Sequence, residues 1–108
     1  MILITPAIRK TLETKGSKEY PPLKPVVKIF NPYGNGTWWI SYIKDGIAFG
    51  YANLRQRTEF GPIGLEELIN LRFKVSAGGR EAMMGLERDL NWNPNTGWDL
   101  KRSVPIGT

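Results

Sequence analysis

Neither histidine nor cysteine occurs in this chain of 108 residues. Thiol nucleophiles, disulfides, thiolate zinc sites and imidazole general bases are therefore excluded. Any acid–base catalyst would have to be a carboxylate, a lysine or a tyrosine with a displaced pKa. Glu87-Arg88-Asp89 is the most concentrated set of such groups. In an extended segment Glu87 and Asp89 point to one face and Arg88 to the other. Two carboxylates on one face could hold Mg²⁺ or work as an acid/base pair, with Glu59 and Asp99 as possible further ligands. The alternative is structural: an ion-pair network, or Arg88 reaching a backbone carbonyl. Two acids without further ligands do not make a metal site, so the structural reading is expected, with no catalytic residue, metal or cofactor.

Three other groupings could carry binding chemistry. Asn31-Pro32-Tyr33-Gly34-Asn35-Gly36 is rich enough in glycine to present backbone N–H groups to a phosphate. A Walker-type loop, however, needs Gly-Lys-Ser/Thr leading into a helix, and this turn leads into a strand, so a plain hairpin connection is expected. Aromatic residues also alternate with cations along the chain. Tyr20, Tyr33, Trp38, Trp39, Trp92 and Trp98 lie among Lys24, Lys28, Arg55, Arg57, Lys101 and Arg102. Sheet-borne aromatics flanked by cations suit single-stranded nucleic acid, where each stacked base is worth about 1–3 kcal/mol. Against that, a small domain needs most of its aromatics for packing, and no RNP-like motif of an RRM is present. Lastly, Arg55-Gln56-Arg57 could grip phosphates or base edges, or be a solvated turn.

The charge balance agrees with an anionic partner without requiring one. Fifteen Lys and Arg against ten Asp and Glu give a formal net charge of +5. The excess is concentrated at the start, where residues 1–30 carry six Lys and Arg against two Glu. Such a surface is either a nucleic-acid footprint or simply solvated. The apolar opening Met1–Ile4 is too short for a signal peptide, and no stretch approaches the roughly 20 apolar residues of a membrane span. A cytoplasmic protein is expected, without membrane contact. At 108 residues, with 41% hydrophobic and 23% charged, the chain has the composition of one globular domain spanning 1–108.

Several elements must position these groups. Thr5-Pro6 is a helix start, with Thr as N-cap and Pro at the first helical position. Ile8 and Leu12 share a face, and Gly16 is a stop. Ser17–Pro25 reads as a loop and Val26–Phe30 as a strand. Thr37–Lys44 and Ile47–Ala52 are strands joined by Asp45-Gly46, the preferred type I′ hairpin dipeptide. That turn pairs Lys44 with Ile47, Tyr42 with Phe49 and Ile40 with Tyr51. Together with Trp38 these make a bulky core face. Trp39, Ser41 and Ile43 lie opposite, beside Ala52, Gly50 and Ala48, under a second packed layer or along a groove. Arg55–Phe60 reads as a turn with a short strand, and Pro62–Leu71 as a helix with Leu65, Leu68 and Ile69 facing inward. Phe73–Arg80 reads as a loop around Gly78-Gly79. Glu81–Trp92 is helical at its start and alternating from Leu86 onward. About 93–108 is a turn-rich tail anchored by Trp92, Trp98 and Leu100. The fold expected is α+β: a small antiparallel sheet around the 37–52 hairpin, packed against two or three short helices.

Five pieces of sequence, in order, resemble a known family. They are Leu3-Ile4-Thr5 at the first helix, Thr37-Trp38-Trp39, Ala48-Phe49-Gly50, Glu59-Phe60-Gly61 running into Leu65-Glu66-Glu67-Leu68, and Leu86-Glu87-Arg88-Asp89-Leu90 followed by Trp92. Over residues 3–92 the chain looks like the DUF2958 family. The last piece is the most specific. The resemblance implies a setting in phages, plasmids and other mobile elements. It brings no assigned activity, so no catalytic residue carries over.

The expected function is therefore non-enzymatic binding by an accessory protein of a mobile element, in contact with nucleic acid or a nucleoprotein complex. Lys24, Lys28, Arg55, Arg57, Lys101 and Arg102 would supply charge, and Trp39 and Trp98 stacking or interface anchors. A different class is a protein-directed inhibitor of a host defence nuclease, of the anti-CRISPR or anti-restriction type. The positive charge argues against mimicry of DNA as its route, since that needs an acidic surface. A Mg²⁺-dependent enzyme built on Glu87 and Asp89 is the third reading.

Overall fold

The computed structural model describes residues 1–16, 24–54 and 57–93, with the backbone of 98–99 and 104–105. Its first element is α1, Pro6–Gly16. The Ile8 N–H donates to Thr5 Oγ1 at 3.1 Å, and the Arg9 N–H to the Thr5 carbonyl at 2.9 Å. Thr5 is thus the N-cap that its position before Pro6 predicts. Leu12 is fully buried and Ile8 packs beside it. At the other end, Gly16 lies against β2 (Thr37–Lys44), where a Cβ would overlap the Ile43 carbonyl oxygen. The glycine is needed there for the close approach of helix to strand.

Five strands form an antiparallel sheet. They are β1 (Val27–Phe30), β2, β3 (Ile47–Asn53), β4 (Thr58–Ile63) and β7 (Glu87–Arg88), in the order β4-β3-β2-β1-β7. Between them in sequence come α2 (Leu65–Asn70) and a separate two-stranded ribbon of β5 (Phe73–Ala77) and β6 (Arg80–Met84). A further short pairing joins β8 (Trp98–Asp99) to β9 (Val104–Pro105). The class is α+β, as the alternation of patterns predicts, with two helices among the described residues.

The β2–β3 hairpin departs from the simple register at one residue. Lys44 pairs with Ile47 and Tyr42 with Phe49, as the Asp45-Gly46 turn dictates; Asp45 has φ 52° and Gly46 φ 78°. Beyond Tyr42 the register shifts, so that Ile40 pairs with Gly50 and Trp39 with Tyr51. Ser41, fully buried, is the extra residue of this β-bulge. A slip of one residue exchanges the faces of everything beyond it. Ile40 and Trp38 therefore join Ile43 on the helix side, and Trp39 joins Tyr42, Phe49 and Tyr51 on the other. The expected pairing of Ile40 with Tyr51, and the single bulky core face built on it, are corrected accordingly.

The main core is consequently aliphatic. Val27, Ile29, Ile40, Ile43, Ala48 and Ile63 from the sheet meet Leu12 of α1, Leu65 of α2, and Leu3, Ile4 and Leu86. Trp38, Leu68, Ile69 and Phe73 pack at its margin. Each fully buried aliphatic side chain stabilises by about 1.5–3 kcal/mol.

Three further expectations are revised. Pro62 belongs to β4, opposite Phe49, so α2 begins only at Leu65. Phe73–Arg80 is not a loop: Gly78 (φ 59°) and Gly79 (φ 77°) form the turn of the β5–β6 ribbon. A two-residue turn with positive φ at both positions is the hairpin type that glycine pairs favour. The helical look of Glu81–Met84 gives way to that ribbon, while the alternation from Leu86 becomes β7 at the sheet edge.

Candidate functional site

The two faces of the five-stranded sheet differ in chemistry. The helices cover one. The other carries Trp39, Tyr42, Phe49, Tyr51 and Phe60, aligned across three strands by the β2–β3 and β3–β4 registers. Tyr42 and Phe49 stack at 5.1 Å, Tyr51 meets Phe60 edge-on at 4.9 Å, and Tyr42 lies 6.4 Å from Phe60. Contacts of this geometry add about 0.5–1.5 kcal/mol each beyond burial. Trp39 and Tyr51 are buried and form a second small core with Trp92. Phe60 is 42% exposed and Phe49 half-buried, so the aromatic series runs from a closed centre to an open margin at β4.

At the β1 end this face opens into a cleft of about 440 Å³. Its walls include Lys28 and Phe30 of β1, Asn31 and Asn35 of the following turn, Trp39, and Asn53 of β3, with Asp89 beside them. The turn is held by its own groups: the Tyr33 N–H donates to Asn31 Oδ1 at 2.9 Å, and the Asn31 N–H to the Gly36 carbonyl at 3.0 Å. As expected, it is a hairpin connection that leads into a strand. Lys28 stands across from Trp39 in the β1–β2 register, and its Nζ lies 3.3 Å from Asp89 Oδ2. The Asp89 N–H donates to the Lys28 carbonyl at 2.9 Å, so strand pairing and ion pair fix the same two residues.

Two indole donors near this region have no acceptor among the described residues. Nε1 of Trp39 and Nε1 of Trp92 are both buried and unpartnered. A buried donor left unpaired costs about 1–3 kcal/mol. Tyr51, packed against Trp39, has its phenol pKa raised above the ordinary 10.0 because burial disfavours the phenolate.

The carboxylates of Glu87-Arg88-Asp89 divide as an extended segment requires. Arg88 points to the helix side, where its guanidinium donates to the Ile2 and Leu3 carbonyls at 2.8 and 3.1 Å. Asp89 pairs with Lys28 and also accepts from the Asn91 N–H at 2.9 Å. These are the structural roles expected for Arg88 and Asp89. Among the described residues, no three Asp, Glu, His or Cys come together to hold a metal.

The residues singled out from sequence therefore separate. Lys28 and Trp39 meet at the cleft. Trp39 is 3% exposed, so its ring face is covered and it serves as wall rather than open platform. Lys24 is half-buried just before β1. Arg57 is exposed next to β4, with Nε 3.9 Å from Glu59 Oε1, a loose surface pair. Trp98 pairs through its backbone with Pro105; its side chain lies outside the described residues, as do Arg55, Lys101 and Arg102. Sequence reasoning missed Asn35, Asn53, Asp89 and Phe60 as parts of this face. The Asn-rich turn was visible; the β1–β2 register sets Trp39 beside Lys28, and the Ser41 bulge brings Asn53 to that side.

Comparison with known families gives a match. The family described as a protein of unknown function (DUF2958) matches residues 3–98, nearly the whole chain. The chain belongs to the DUF2958 family. Among curated proteins and among solved structures, nothing matches it. The segment Leu86-Glu87-Arg88-Asp89-Leu90 has a structural place in this DUF2958 chain: it contains the sheet-edge strand β7, anchors the N-terminal segment through Arg88 and borders the cleft through Asp89. No helix among the described residues is long and apolar enough to cross a membrane.

Proposed function

We propose that this DUF2958 protein is a non-enzymatic accessory binding protein of a mobile element, and that it contacts single-stranded nucleic acid, alone or within a nucleoprotein complex. The observation that carries this reading is the sheet face opposite the helices. There an aromatic series, open at Phe60 and Phe49, adjoins a polar cleft holding Lys28 and three asparagines. Aromatic rings on an antiparallel sheet accept stacked bases irrespective of sequence. The net charge of +5 favours a polyanion. A non-enzymatic role is supported by the lack of His and Cys, and by the structural engagement of Arg88 and Asp89. The mobile-element setting comes from the family resemblance and is part of the proposal.

The test is a titration with labelled single-stranded DNA, duplex DNA and RNA at low and physiological salt, followed by anisotropy and Trp fluorescence. The expected result is a preference for single strands, with affinity falling as salt rises. Absence of binding at low salt would overturn it. A second reading is that of an inhibitor of a host defence nuclease, for which Met83 on the β5–β6 ribbon, 60% exposed, would be an apolar anchor. Capture of a defence nuclease by the purified protein, lost in Met83→Glu, would support that alternative.

A further inference from the structure

We propose that the cleft between β1, the 31–36 turn and β3 is a pocket for one thymine or uracil base. This rests on the single-stranded nucleic-acid reading above and names the base that its cleft selects. Size is the first argument. At about 440 Å³ the cleft is at the lower end of ligand sites, which span roughly 300–1,000 Å³. It accommodates one base with its sugar rather than a stack.

Charge is the second. Lys28 Nζ is already held 3.3 Å from the Asp89 carboxylate, so this pair offers little net charge to a phosphate. What the walls present instead is a mixture of donors and acceptors: the Lys28 ammonium, the Asn35 amide, the Asn53 amide (whose Nδ2 also donates to Thr58 Oγ1 at 3.1 Å) and the Asp89 carboxylate, with the Phe30 and Trp39 rings beside them. A ligand matched to such walls is planar, uncharged and able both to donate and to accept. The imide edge of thymine or uracil has two carbonyl acceptors flanking one N–H donor. A carboxylate with lone pairs to spare takes the N–H, and flanking donors take the carbonyls.

The third argument is the unpaired indole. Trp39 is part of the cleft wall, 3% exposed, and its Nε1–H has no acceptor among the described residues. The Nε1 atom has no exposed surface, so a base carbonyl gives it its missing partner only if the indole turns toward the cleft as the base is seated. Adenine has no carbonyl oxygen and cannot supply one.

The experiment compares oligo-dT with oligo-dA of equal length, and thymidine monophosphate with adenosine monophosphate, on the full chain and on two variants. Trp39→Phe keeps an aromatic ring but removes the N–H together with the rest of the pyrrole ring at a buried site; Asn35→Ala alters an exposed turn residue and spares the core. The native chain should bind oligo-dT about threefold to tenfold more tightly than oligo-dA, the value of one net hydrogen bond. Trp39→Phe should lower thermal stability, because a buried ring is made smaller, and should cost oligo-dT more affinity than oligo-dA, so that the preference is lost. Asn35→Ala should weaken oligo-dT selectively. Binding of thymidine monophosphate alone would place recognition in a free nucleotide; binding of the oligomer only would require the flanking chain. Equal affinity for both oligomers, or a dT preference that survives both substitutions, overturns the base pocket while leaving nucleic-acid binding intact. If no oligomer or nucleotide binds, both readings fall.

Discussion

Two residues, Arg88 and Tyr51, show how individual side chains here serve packing before chemistry. Arg88 looks in the sequence like the middle of an acid–base cluster, yet its guanidinium ties the Ile2 and Leu3 carbonyls to the sheet edge. Arg88→Ala should release the N-terminal segment and destabilise the protein by about 1–3 kcal/mol. Urea denaturation checks this, and an unchanged midpoint would contradict it. Tyr51 makes a pH-dependent contribution. Its folded pKa is raised above 10.0 by burial, so its stabilising effect is fully present below pH 10 and lost as pH rises through the raised value. Melting curves of the native chain and Tyr51→Phe should therefore diverge as pH rises above 10, with the native chain losing more. Parallel curves would contradict a buried neutral phenol.

Among the elements, the close contact of α1 with β2 sets what the molecule tolerates. Gly16→Ala would drive a methyl group into the Ile43 carbonyl and should cost about 2 kcal/mol or more, measurable as a lowered denaturation midpoint. A neutral effect would mean that the helix end is not seated there. What was legible in the sequence was local. Thr5-Pro6 announces α1 because capping and a fixed φ are properties of adjacent residues. Asp45-Gly46 announces the hairpin because its positive φ values are built into those two residue types. What was not legible depends on partners distant in sequence. The Ser41 bulge has no local signature, yet it decides which face Trp39, Ile40 and Trp38 occupy. Gly78-Gly79 carried the same kind of signal as Asp45-Gly46, but the weakly alternating strands around it obscured a ribbon. Glu-Ala-Met-Met favours a helix on propensity alone, and pairing with β5 overrides it. The candidate site suffered most, since its walls come from β1, the 31–36 turn, β3 and the end of β7, elements that adjoin only in the folded sheet.

For the molecule as a whole, the proposed function rests on the division between a helix-covered aliphatic face and an aromatic face. An aliphatic core built from Leu12, Ile29, Ile40 and their neighbours accounts for the fold. Ile29→Ala, at the centre of that core, should cost about 2–5 kcal/mol, checked by thermal unfolding. Phe60→Ala, at the open margin, should cost less in stability but weaken binding of single strands several-fold, as loss of one stacked base would. Equal loss of stability for both would mean that the aromatic face is core and not surface.

The most direct single measurement is a two-dimensional nitrogen–proton NMR titration of the native chain with a short oligo-dT. Four Trp give four indole signals, and Trp39→Phe assigns the one that matters. The account predicts that the Trp39 indole signal moves together with the amides of residues 28 and 31–36, while those of α1 stay fixed. Unmoved signals on the cleft face, or shifts confined to the helix face, would contradict it.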